Sequence, residues 1–426
     1  MEFVELKEKE FDEYSEKHEY GSFYQSSNWG KLKEANGWKY YLVGIKESKK
    51  ILGATLLLEK SLPLGLKIFY SPRGFLIDYK NKKVLTEFVN NVKAFIKKRH
   101  GIFLKIDPYV NLYERDINGD IVNEENNNLD AVDNLKALGF KHYGFSLDME
   151  TLQPRFAFSL NLEGETIESL HKNFKPNVRN YLNKADRIGV KVRFIDVDEM
   201  DKFKKVMQHT ANRRGFIDRP LEYYKNMMHY LKDKIKVVVT EINLKDYSNK
   251  INDEIIKLED VIKTKEEDLK DETKRVNEKK LKQEREELSR LEKKKKEIDK
   301  LYSENGEVLL LGGMMFMIHG GEILSLFGGS FEEFNEFLSP YPTYYSMIEY
   351  GVKNGFKKYN FYGISGDFKN KDNPLYGLYD FKRSFGGYVE EYIGEFDLIL
   401  SKPKYHLYNF ALKVYKKLKK LKNRNN

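Results

Sequence analysis

From Lys250 to Leu301 the chain has no proline, glycine or aromatic residue, and more than half of its residues are charged. Ile251, Ile255, Leu258, Ile262, Leu269 and Val276 recur at three-, four- and seven-residue intervals, and Leu281, Leu288, Leu291, Ile298 and Tyr302 continue the series after a break near Asn277. Such spacing is a heptad seam. Glu266–Lys270, Glu286–Arg290 and Glu292–Lys296 add oppositely charged pairs four residues apart. Strand-like sequence resumes at Val308, so both ends of the segment must meet on the globular body. One continuous helix would carry the chain roughly 75 Å away at 1.5 Å per residue. The segment is therefore expected to fold as an antiparallel helical hairpin over 247–303. As an isolated feature it fits a solvated spacer, a dimerisation surface or an RNA-binding arm.

The remaining residues of the 426 exceed one ordinary core. There is no cysteine, which excludes disulfides, thiolate metal sites and a cysteine nucleophile and suits a reducing compartment. The eight histidines form no metal-binding spacing, so no metal site is expected. The start, MEFVELKEKEF, lacks the features of a signal peptide, and the longest apolar run, Val308–Ile318, is too short to span a bilayer. A cytoplasmic protein is expected. A net charge of +9 favours a polyanionic partner: nucleic acid, a phosphorylated lipid or an anionic membrane.

Residues 1–155 read as a first α/β lobe, and 156–246 with 304–400 as a second. In the first, Asn28 is a plausible helix N-cap, Val84, Phe88, Val92 and Phe95 mark a helix, and the Asn-rich stretch 111–129 reads as a loop. In the second, 166–189 is a basic helical stretch carrying Lys172, Lys175, Arg179, Lys184 and Arg187, kinked or split at Pro176. Near the end, YGLYDFKRSFGGYVEEYIGEFDL (Tyr376–Leu398) reads as a helical turn bearing Phe381 and Lys382, a bend at Gly386–Gly387, and a returning strand. Lys382 is either a solvated lysine beside core aromatics or a fixed cation placed where an anion develops. The tail, 401–426, is a lysine-rich helix that either docks on the body or lies on an anionic membrane or RNA.

Several segments, in order and over nearly the whole chain, resemble the Fem-type aminoacyltransferases that build peptidoglycan cross-bridges. They are FYQSSNWGKLKE, YSPRGFLIDY, FLKIDPY, RNYLNKADRIGVKVRF, RRGFIDRPLEYY, the helical insert, KKYNFYGISGDF and the Tyr376–Leu398 stretch. The resemblance implies two acetyltransferase (GNAT)-like lobes with an inserted coiled-coil arm. It also implies transfer of a small amino acid (glycine, alanine or serine) from aminoacyl-tRNA to a stem-peptide amine or growing bridge. The acceptor is lipid II or its soluble UDP-linked muropeptide form. By resemblance, Lys33 and Arg219 grip the precursor's phosphates and Tyr223 lines the same pocket. Phe381 and Lys382 sit at the reacting carbonyl, Asp107 is an acid discussed as a base, and Gly363, in the 363–366 loop, is a further candidate substrate-binding residue. Some members carry tyrosines where this chain has Ile102 and Phe327.

The chemistry agrees with that assignment. An aminoacyl ester is already activated, so no protein nucleophile and no cofactor is required. The acceptor amine has an ordinary pKa near 10.4, leaving about one molecule in a thousand neutral at pH 7, so a nearby cation, desolvation or a base is needed. The arm and the 166–189 stretch are candidates for tRNA contact, and the basic tail for peripheral contact with the inner face of the membrane; a homodimer is compatible. Two rivals remain. An acyl-CoA acetyltransferase needs a small-residue pyrophosphate cradle, and the nearest approach, Arg383-Ser384-Phe385-Gly386-Gly387-Tyr388, ends in a tyrosine. A non-enzymatic tRNA-binding scaffold would leave Phe381, Lys382 and the 363–366 loop without a purpose.

Overall fold

The computed structural model describes residues 1–149, 152–270 and 277–422. Two eight-stranded mixed sheets form two GNAT-like lobes. Each sheet is antiparallel except for one parallel pair bridged by a helix. In the first sheet Lys67–Ser71 runs parallel to Gly101–Ile106, and in the second Glu322–Ser330 runs parallel to Lys358–Ile364. The first crossover helix, Lys82–Lys98, buries Val84, Phe88, Val92 and Ile96. The second, Pro340–Lys353, starts on a proline whose missing N–H costs nothing at that position. The second parallel pair is in register only over Glu322–Leu324 and Lys358–Asn360; beyond this the strands part.

The lobes exchange strands, which the division at residues 155 and 400 does not capture. Asn111–Glu114, expected within a loop, pairs with Tyr388–Tyr392 at the edge of the second sheet. Phe396–Ile399 then enters the first sheet between Gly101–Ile106 and Phe140–His142. One apolar cluster also spans the lobes, packing Tyr24, Trp29 and Leu32 against Phe203, Tyr224 and Met227.

Local signals are mostly realised. The helix expected to start at Asn28 spans Ser27–Ala35 and is capped by Ser26, whose side chain accepts from the Trp29 amide. The basic stretch is split at Pro176 into Ile167–Asn173 and Pro176–Ile188, the latter closed by left-handed Gly189. The arm is a hairpin of Leu244–Asp268 and Glu278–Asn305, the second helix capped by Asn277. Ile251, Ile255, Ile262, Leu281 and Ile298 are buried in its seam, whereas Leu269 is exposed and Val276 lies outside the described residues. Its charged residues link the two helices as well as neighbouring turns: Arg285 pairs with Glu266 at 2.6 Å and Lys265 with Glu284 at 2.5 Å, while Arg290 pairs with Glu287.

Gly387 shapes the bend after the Tyr376–Arg383 helix. Its φ is +106°, and an added Cβ would lie 2.2 Å from the Ser159 carbonyl oxygen. Gly387→Ala is expected to cost about 2 kcal/mol or more of stability through backbone strain and overpacking. Urea unfolding measures this; a loss below about 0.5 kcal/mol would contradict it.

Candidate functional site

Lys382 occupies the last turn of the Tyr376–Arg383 helix and is only 4% exposed. Its ammonium donates to the carbonyl oxygens of Tyr362 at 3.1 Å and Gly363 at 2.7 Å. Both carbonyls belong to a bulge where pairing between Lys358–Ile364 and Phe156–Asn161 slips between Asn360 and Gly363, with Tyr362 at a φ of +66°. Strand irregularities of this kind redirect backbone groups. Among the described residues no carboxylate is at ion-pair distance from Lys382. Burial alone pushes its pKa down to about 7. The solvated-lysine reading therefore fails. Phe381, half-buried, packs its ring 5.3 Å from Tyr341 and 5.2 Å from Tyr344.

On the other side of Tyr362, its hydroxyl donates to Gln153 Oε1 at 2.7 Å and lies 3.3 Å from the Tyr24 hydroxyl. Gln153 helps line a cavity of about 250 Å³ with Arg73, Asp107, Arg155 and Tyr392. Asp107 is buried and accepts from the Arg73 amide at 2.6 Å and the Tyr70 hydroxyl at 2.8 Å. Burial raises its pKa to about 6, opposed by the Arg73 charge and these hydrogen bonds. The Arg73 guanidinium stacks 4.5 Å from the Tyr392 ring and donates to the Pro154 carbonyl.

The third group joins the two lobes. The Ser27–Ala35 and Leu221–Leu231 helices pack together and bring Lys33 near Arg219. Burial, then the Arg219 charge, lowers the Lys33 pKa to about 8. Lys33 Nζ sits 4.3 Å from the Trp29 ring, and the Arg219 guanidinium 5.2 Å from the Tyr223 ring. The Arg219 guanidinium makes no ion pair with its neighbour Asp218, which is engaged by Lys204, by the Tyr224 hydroxyl and by the Arg219 amide instead. Among the described residues neither cation has a carboxylate partner. Half-buried Lys33 and exposed Arg219 thus lie near each other with no carboxylate at ion-pair distance among the described residues, an arrangement whose charge suits an anion.

The structure thus groups Lys382, Phe381 and Gly363; Lys33, Arg219 and Tyr223; and Asp107 with Arg73. One aromatic cluster containing Tyr24, Trp29, Tyr223, Phe327 and Tyr362 runs between the first two groups. Ile102 lies elsewhere, buried with Phe103 and Tyr405 under the last helix. Sequence reasoning missed Arg73, Gln153, Tyr24 and Tyr362. Arg73 stands inside the YSPRGF segment, yet no local pattern distinguishes it, because its partners lie far along the chain. In the 383–388 segment Gly387 packs closely on the Phe156–Asn161 strand, Gly386 faces Asn173, and Arg383 Nε is held by Asp380 at 2.8 Å. That arrangement does not make a pyrophosphate cradle.

Residues 6–413 match the FemAB family. The chain belongs to the FemAB family. An aminoacyltransferase FemA of Staphylococcus epidermidis is 32% identical over 426 residues, covering 99% of this chain and 100% of that protein. An aminoacyltransferase FemA of Staphylococcus aureus is 32% identical over 421 residues, covering 97% and 99%. The crystal structure of FemX superposes with a TM-score of 0.77 at 28% identity, covering 96% of this chain and 99% of that one. This FemAB protein is accordingly an aminoacyltransferase, and its fold is that of FemX.

The low Lys382 pKa has a stability consequence. Between about 7 and its ordinary 10.5 the unfolded chain keeps the proton that the folded chain has lost, so stability rises with pH across that window. Lys382→Met lacks this contribution. The wild-type-minus-variant difference in urea unfolding free energy should therefore increase from pH 7 to pH 9; an unchanged difference would show that Lys382 titrates normally.

Proposed function

We propose that this protein transfers a small amino acid from aminoacyl-tRNA to an amine of a peptidoglycan precursor peptide, forming or extending the interpeptide bridge. The observation that carries the reading is a buried ammonium, oriented by the Tyr362 and Gly363 carbonyls, with no carboxylate at ion-pair distance among the described residues. In the reaction the amine nitrogen attacks the ester carbonyl and a C–N bond forms. Negative charge collects on the carbonyl oxygen, the C–O bond to the ribose breaks, and the amine's proton ends on the departing ribose hydroxyl. Lys382 stabilises the oxyanion through its remaining N–H, and its cation favours the neutral form of the attacking amine. Phe381 packs beside the carbonyl, and Asp107, ionised above about pH 6, is the proposed proton acceptor on the cavity side.

Lys33 and Arg219 hold the precursor's diphosphate, with Tyr223 beside Arg219. The low pKa of Lys33 fits a cation whose natural partner is a ligand rather than a side chain. We place the protein in the cytoplasm at the membrane face, acting on the lipid-linked precursor. Among the described residues no helix is long and apolar enough to cross a membrane. The Lys402–Lys422 helix is tied to the body by Tyr405, whose hydroxyl donates to Asp397, and exposes Leu407, Phe410, Val414 and Leu418. An exposed apolar stripe on a lysine-rich helix suits an anionic bilayer surface.

Lys382→Ala should lower turnover a hundredfold or more, about 3 to 4 kcal/mol of barrier, while precursor binding persists. Product masses after incubation with charged tRNA and lipid-linked precursor measure it; near-normal turnover removes Lys382 from the mechanism. Arg219→Ala should weaken binding of the intact precursor at least tenfold and leave its dephosphorylated form unaffected. Equal losses for both forms would exclude a phosphate role.

A further inference from the structure

The Pro176–Ile188 helix connects two features that the proposed reaction leaves separate. At its N-terminal end the Lys175 amide donates to the Ser384 carbonyl at 2.8 Å, and the Lys175 ammonium pairs with Asp380 at 3.1 Å. Both partners flank Lys382 on the chain. At its C-terminal end Ala185 and Ile188 pack in one cluster with Ile251, Ile255 and Ile298, the root of the helical arm. Thirteen residues separate the two ends, a span of about 20 Å.

Its outer surface is cationic. Lys184 and Arg187 are exposed and Arg179 is half-exposed, with Lys172 exposed on the preceding helix. Among the described residues none of these four is at ion-pair distance from a carboxylate. Asn177, Asn180 and Asn183 are exposed between them. Lys250, at the foot of the arm, extends the surface past Gly189. One flank also leads aromatically to the catalytic lysine. Half-exposed Tyr181 lies 4.8 Å from the Tyr341 ring, and Tyr341 lies 5.3 Å from Phe381, the neighbour of Lys382.

We infer that this helix is the rail along which the donor RNA reaches Lys382: its cations hold the backbone phosphates from the arm root inward, and the Tyr181–Tyr341–Phe381 rings receive the unpaired 3′ end. The inference rests on the proposed use of aminoacyl-tRNA. Free cations set toward solvent suit phosphates, which carry no sequence information and bind in a salt-dependent way. A run of partly exposed rings suits unpaired bases, which stack without regard to sequence. The combination matches an RNA whose duplex ends in a short single strand bearing the reactive ester.

The test uses the full chain with two synthetic RNA stem-loops, one blunt and one with a single-stranded 3′ tail, followed by fluorescence anisotropy over a salt series. Lys184→Glu with Arg187→Glu should weaken both RNAs at least tenfold and flatten the slope of log affinity against log salt by about two. Tyr181→Ala should abolish the advantage of the tailed over the blunt RNA, and Tyr181→Phe should keep it. Binding of the cell-wall precursor should match wild type in all three variants. Wild-type affinity and salt slope in the double charge reversal would overturn the rail while leaving the donor assignment intact, as would a tail advantage that survives Tyr181→Ala. Wild-type protein that binds the precursor but neither RNA would overturn the donor assignment and the rail together.

Discussion

An ammonium group buried against two carbonyl oxygens, with no carboxylate at ion-pair distance among the described residues, is the constraint on which the arrangement of this protein depends. Lys382 loses its water on burial, and two dipoles replace it without cancelling its charge. A carboxylate in that place would raise the pKa back toward its ordinary value and, in the proposed reaction, offset the positive charge offered to the oxyanion. The fold supplies carbonyls instead by breaking the regular pairing of a strand at Asn360–Gly363. The bulge, the bend at Gly386–Gly387 and the close approach of Gly387 to Ser159 belong to one local solution.

The second organising feature is the shared interior of the two lobes. Tyr362 presents its carbonyl to Lys382 and its hydroxyl to Gln153 and Tyr24, so the same residue faces both the cation and the interlobe cavity. Lys33 comes from the first lobe and Arg219 from the second, and the pair exists because the Ser27–Ala35 helix packs against the Leu221–Leu231 helix that Arg219 precedes. The rings beside Lys33 and Arg219, Trp29 and Tyr223, and the Tyr362 that contacts Lys382 thus belong to one shared interior, not to separate domains. Strand exchange strengthens this: the residues following Lys382 run through the second sheet at Tyr388–Tyr392 and into the first at Phe396–Ile399.

Much of this was legible locally. The hairpin follows from heptad spacing and from Asn277, and the split of the basic stretch follows from Pro176. The cap at Ser26 instead of Asn28 is a two-residue error of the usual kind for helix ends. The Asn-rich stretch misled because a short edge strand, Asn111–Glu114, carries few apolar residues; its pairing partner lies nearly 280 residues away. Arg219 illustrates the same limit for charges. Acidic residues, Asp218 and Glu222, stand beside it in the sequence, but Lys204 and Tyr224 occupy Asp218.

The order of the family motifs, the helical arm, the breaks at proline and glycine and the presence of Phe381–Lys382 were determined by the sequence alone, because periodicity and backbone restriction act over a few residues. Only the tertiary structure decided that Lys382 is buried against two carbonyls, that Lys33 meets Arg219, that Arg73 braces Asp107, and that the basic helix joins the arm to the lysine. Desolvation and pairing depend on which distant groups share a space, and nothing within a short window of residues specifies that.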